Sequence, residues 1–72
     1  MHSKENIKAE INLLCRELAV NGMNLNMQRR RQNLDEVINL MCARTEILKS
    51  IAHRQGLLIE ILENESRYSE AA

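Results

Sequence analysis

The chain has no proline and only two glycines in 72 residues, so it offers few places where a helix must stop. The clearest break is Asn21-Gly22, a pair that tolerates the left-handed backbone with which many helices end. Upstream of it, Ile7, Ile11, Leu14 and Leu18 recur at steps of four, three and four, one stripe of an α-helix. Ser3 suits the N-cap and Glu5 suits the positive end of the helix dipole. The sequence therefore predicts a first helix over about residues 4–20.

Residues 21–25 read as the turn, with Asn24 or Asn26 available to cap the next helix. A second apolar stripe follows through Met27, Leu34, Val37/Ile38, Met41, Leu48, Ile51, Leu58/Ile59 and Leu62. It is a heptad-like seam, interrupted at Arg30 or Arg31, Arg44/Thr45 and Gln55. It implies a long helix over about 26–63, bent near Gly56, before a polar, frayed tail at 64–72. The expected fold is all-α, a single domain over residues 1–72. It is an antiparallel two-helix hairpin with an extended second helix.

These two lengths do not match. Seventeen residues of helix span about 26 Å and thirty-eight about 57 Å, so the first helix covers the second only to about residue 41 or 43. Beyond that point Ile47, Leu48, Ile51, Leu58, Ile59 and Leu62 have no partner within the hairpin. Each would forfeit about 1.5–3 kcal/mol if left in water. Two arrangements would cover them: a fold-back near His53-Arg54-Gln55-Gly56, or a homodimer through the overhang. The homodimer is the favoured expectation.

Composition narrows the function. Ten basic residues balance ten acidic ones, Phe and Trp are absent, and Tyr68 is the only aromatic. That argues against nucleic acid as a partner and against stacking platforms or aromatic cages. No apolar run approaches the ~20 residues that span a bilayer, and the polar start does not read as a secretion signal. The expectation is a cytoplasmic protein without a membrane partner. With the turn near residue 22, Cys15 and Cys42 lie roughly 16 Å apart along the hairpin, too far to bridge. Both read as free thiols. Cys15, Cys42, His2 and His53 share no metal-ligand spacing, so no metal is expected.

The polar face of the second helix is the specific feature. With Leu34 turned inward, Gln32, Asp35, Glu36 and Asn39 cluster outward at spacings of three and four. By spacing alone this is a solvated helix face. The segments Ile11-Asn12-Leu13-Leu14-Cys15-Arg16-Glu17-Leu18, Asn21-Gly22-Met23-Asn24 and Arg31-Gln32-Asn33-Leu34-Asp35-Glu36-Val37-Ile38 together resemble the stage-zero-sporulation-E-like aspartyl-phosphate phosphatases of endospore-forming bacteria. These are small helical hairpins whose second helix carries Ser-Gln-Glu-Leu-Asp followed by an aliphatic pair. Gln32, Leu34, Asp35 and the pair Val37-Ile38 match; Arg31 replaces Ser and Asn33 replaces Glu. Cys15 stands where a first-helix arginine is expected, with Arg16 beside it.

The resemblance implies hydrolysis of phosphoryl-aspartate on a response regulator, the master regulator of sporulation in this family, and so negative regulation of sporulation. It implies Asp35 and Gln32 as the catalytic pair. No cofactor of its own is implied, since Mg²⁺ belongs to the partner response regulator. Arg29 and Arg31, with Glu36 and Asn39, are then candidates to bind that partner. Arg29-Arg30-Arg31 would sit in the first turns of the second helix, where cations oppose the dipole. A solvated face and a weak nucleic-acid patch are the other readings of this run. Met23, Met27 and Met41 read as packing, and His53 as an exposed or interface-edge imidazole. A non-catalytic adaptor binding through the 47–62 stripe is the alternative function.

Overall fold

The structure is a computed structural model that describes the backbone of residues 3–71 and the side chains of residues 3–67. Two helices, α1 (Lys4–Arg30) and α2 (Leu34–Ala71), pack side by side as a hairpin of 60 × 18 × 15 Å. Among the described residues there is no strand, and no helix is long and apolar enough to cross a membrane.

The N-terminus follows its local chemistry. Ser3 caps α1, its Oγ accepting from the Asn6 amide at 3.2 Å, and Glu5 lies in the first turn. The turn does not sit at residues 21–25. Asn21 and Gly22 are inside α1, Asn24 and Asn26 cap nothing, and the chain reverses at Arg31-Gln32-Asn33. There the Gln32 amide donates to the Arg29 carbonyl (3.1 Å) and the Asn33 amide to the Gln28 carbonyl (3.0 Å), the two bonds of a Schellman closure. Gln32 supplies the left-handed residue it needs, with φ 58°. Asn33 then caps α2, its Oδ1 accepting from the Glu36 amide at 3.4 Å. One three-residue turn thus satisfies the end of one helix and the start of the next.

Tertiary packing explains why α1 runs through Asn21-Gly22. The inward positions of α1 alternate by three and four from Lys4 through Ile7, Ile11, Leu14, Leu18, Asn21 and Leu25 to Gln28, all buried or half-buried. Those of α2 do the same from Val37 through Leu40, Arg44, Ile47, Ile51, Arg54 and Leu58 to Ile61. This is the repeat of a coiled-coil seam. Ile7, Leu25, Val37 and Ile51 are its most buried apolar members. Stopping α1 at residue 20 would remove Leu25 from that seam, along with a polar lock at its middle. Asn21, 6% exposed, donates through Nδ2 to the Leu40 carbonyl at 2.9 Å. Arg44 Nη1 donates to Asn21 Oδ1 and to the Leu18 carbonyl, each at 3.4 Å. A buried polar contact at such a position fixes register.

Several expectations are corrected by this register. There is no long overhang: Lys4 of α1 reaches Glu65 of α2 at 3.2 Å, and Glu10 pairs with Arg54 at 2.9 Å. Nor does the chain fold back at 53–56, because α2 is continuous there. Residues 64–71 are helical rather than a frayed tail; Ala72 lies outside the described residues. Leu34 is not inward but 71% exposed, and Met23, Met27 and Met41 are exposed as well. Cys15 and Cys42 are exposed free thiols.

Gly56 gives a clean stability test. It lies inside α2, and a Cβ there would meet nothing within 4 Å. Gly56→Ala should therefore stabilise the hairpin by about 0.5–1 kcal/mol. Thermal unfolding followed by circular dichroism should show Tm raised by about 2–8 °C.

Candidate functional site

The tip of the hairpin gathers most of the polar residues singled out in the sequence. Arg29 and Arg30 end α1, Arg31 is its C-cap, Gln32 and Asn33 make the turn, and Asp35 and Glu36 open α2. The arginines thus lie at the negative end of α1, and the carboxylates lie at the positive end of α2. Both placements are favourable to the helix dipoles. This reverses the sequence expectation, in which the three cations opposed a dipole. The change follows entirely from the position of the turn.

Gln32 and Asp35 do not share one helix face, although their spacing on a continuous second helix predicts that they should. Gln32 belongs to the turn, whereas Asp35 is in the first turn of α2; both are exposed. Asn39 is exposed one turn beyond Asp35, and Glu36 is half-buried on the side facing α1. Among the described residues, the side chains of Arg29, Arg30, Arg31, Gln32 and Asp35 take part in no hydrogen bond or ion pair. Just below the tip, Met23, Asn26, Met27, Arg30 and Arg31 line an open groove. It is a surface depression, not an enclosed cavity that could hold a small substrate away from water.

Asn33 has a structural role in the turn. Asparagine is among the best N-caps, and its short side chain reaches the amide three residues on. Glutamate at that position would not cap α2 in the same way. Asn33 followed by Glu36 is also the one signal that could have located this turn from sequence, because it has the spacing of a capping box.

Gln32 adds an energetic feature. A left-handed backbone costs a non-glycine residue about 1–2 kcal/mol, and glycine is the usual occupant of this place in a Schellman turn. Gln32→Gly should stabilise the hairpin by about 1 kcal/mol. A urea titration should show a higher midpoint with an unchanged slope.

The six residues assigned from sequence to a dimer interface divide between two surfaces. Ile51 is 8% exposed in the inner seam, with Ile47 and Leu58 half-buried beside α1. Leu48, Ile59 and Leu62 are exposed on the outer side of α2. The adaptor stripe drawn over 47–62 divides in the same way. Arg44, Arg54 and Glu10, which sequence reasoning left out, complete the polar part of the interhelical contact. His53 is exposed, and among the described residues no group of three His, Cys, Asp or Glu side chains is placed to hold a metal ion. His2 lies outside the described residues. Compared with family models, curated proteins and solved structures, the chain matches none of them.

Proposed function

We propose that the tip is a working end that presents Gln32 and Asp35 to the phosphoryl-aspartate of a response regulator and speeds its hydrolysis, thereby opposing sporulation signalling. One observation supports this reading above others. Gln32 holds a backbone conformation that favours glycine, yet it carries an exposed amide with no partner among the described residues. Strain kept at an exposed polar residue is a reason to seek a function there.

An open tip suits this chemistry because the partner supplies the acyl phosphate and its Mg²⁺. Water attacks phosphorus in line, its oxygen forming the new P–O bond while the bond to the aspartyl oxygen breaks. The regulator's carboxylate leaves, and the water proton passes to Asp35 or to the phosphate. Gln32 orients the water, Asp35 polarises it, and Arg29 and Arg31 hold the tip against an acidic pocket. An acceleration of ~10²–10³ needs only ~3–4 kcal/mol of barrier lowering. The test is loss of ³²P from a labelled response regulator at substoichiometric chain. Catalytic turnover is expected; label that stays on the regulator at every dose would overturn the reading.

A second reading has its own observation. The outer side of α2 exposes Leu48, Ile59 and Leu62, a surface through which a non-catalytic adaptor could hold a protein partner. Such an adaptor would protect the phosphorylated regulator one-to-one instead of turning it over.

A further inference from the structure

α2 carries two apolar stripes offset by one residue, and only one of them is used by α1. The unused stripe steps by four and three from Leu34 to Leu62 through Ile38, Met41, Leu48 and Ile59. These six side chains are between 46% and 71% exposed. No charged residue occupies any of the nine stripe positions between Leu34 and Leu62, although 28% of the chain is charged. The stripe is about 42 Å long and keeps the spacing of a helix–helix seam throughout. By contrast, the exposed apolar residues of α1, Leu13, Val20, Met23 and Met27, form a shorter stripe that is broken by Arg16 and ends at Arg30.

We infer that this outer stripe of α2 is the seam of a homodimer, in which two hairpins pack α2 against α2 antiparallel to form a four-helix bundle. The pattern itself selects a second copy as occupant. It reads nearly the same from either end about Leu48, with Leu34 answered by Leu62, Ile38 by Ile59, Met41 by Gln55, and Thr45 by Ala52. A two-fold interface needs such a self-complementary surface. Large residues meet at the centre and the ends, and the small Thr45/Ala52 pairs let the helices approach between them.

The area agrees. The six exposed side chains offer about 600 Å² per copy, so a pair would bury roughly 1,200 Å², the lower edge of stable interfaces. Left uncovered, a patch of ~600 Å² is at the upper limit for a monomer. The chain exposes 5797 Å², against about 4,600 Å² for a compact monomer of its mass. Lys49, next to the two-fold, is held by Glu46 of its own chain at 3.5 Å.

This dimer differs from an overhang dimer, since it leaves Ile47, Ile51 and Leu58 in the intramolecular seam. It does not rest on the phosphatase reading. Sedimentation of the full chain at rising micromolar concentrations should move from 8.4 kDa to about 17 kDa, twice the chain mass. Leu48→Glu places two carboxylates at the two-fold and should weaken association at least 100-fold while helicity stays unchanged. Ile38→Glu should do the same if the Leu48 variant folds poorly, and Val20→Glu on α1 should leave the dimer intact. A chain that stays at 8.4 kDa throughout, or a dimer broken by Val20→Glu and not by the α2 variants, would overturn the inference. Phosphate release is a separate measurement, so its failure and that of the dimer are told apart.

Discussion

Ile51→Ala should destabilise the hairpin by about 2–4 kcal/mol, enough to leave so small a domain substantially unfolded near body temperature. Ile51 is 8% exposed at the middle of the inner seam. Removing its outer carbons leaves a gap that two helices, with no third layer, must either tolerate or close by moving apart. Because a chain of this size rarely has more than a few kcal/mol of net stability, one truncation consumes most of it. Leu34→Ala is the matched control. Leu34 has the same number of side-chain atoms and belongs to the seam expected from sequence, but it is 71% exposed, and its truncation should change stability by no more than about 0.5 kcal/mol. Urea unfolding at dilute chain concentration separates the two. An overhang at Ile51 would instead give a concentration-dependent loss, with little effect on the isolated hairpin.

Asp35→Ala should remove most of the proposed ~10²–10³-fold acceleration of phosphoryl-aspartate hydrolysis without melting the helices. Asp35 is exposed in the first turn of α2, and its side chain makes no hydrogen bond or ion pair among the described residues. Its truncation therefore costs only a favourable charge at a helix N-terminus, about 0.3–1 kcal/mol. Activity and stability then move by very different amounts, which a merely structural carboxylate would not produce. Gln32→Gly extends the comparison, because there the expected changes have opposite signs: a firmer hairpin and a slower reaction. Full activity in Asp35→Ala would remove Asp35 from the site.

The helix stripe of Ile7, Ile11, Leu14 and Leu18, the Ser3 cap and the all-α hairpin were legible in the sequence, because each depends on local pattern. The turn was not. Asn21-Gly22 has the stronger local tendency to end a helix, but Asn21 gains more from its contacts with the Leu40 carbonyl and Arg44 than from a turn. The inner seam of α2 was hidden for a related reason. It carries Arg44 and Arg54 at inward positions, stabilised by Asn21, Leu18 and Glu10. The outer stripe carries no charge at all, so hydrophobicity alone selects the exposed face as the core. One misplaced turn moved the three arginines to the wrong end of a dipole, put Gln32 on a helix, and created an overhang that the hairpin does not have. The tip residues nevertheless lie close together, since sequence proximity alone brings Arg29 to Asp35 together around any break in that segment.

The location of the turn decides where Gln32 and Asp35 stand, and backbone NMR chemical shifts with amide exchange measure it directly. The expected result is unbroken helical shifts from residue 4 through 30, with slow exchange at 21–25. Non-helical values should be confined to 31–33, with a positive φ at Gln32. Coil-like shifts and fast exchange at 21–25, followed by a continuous helix through 31–36, would contradict the account.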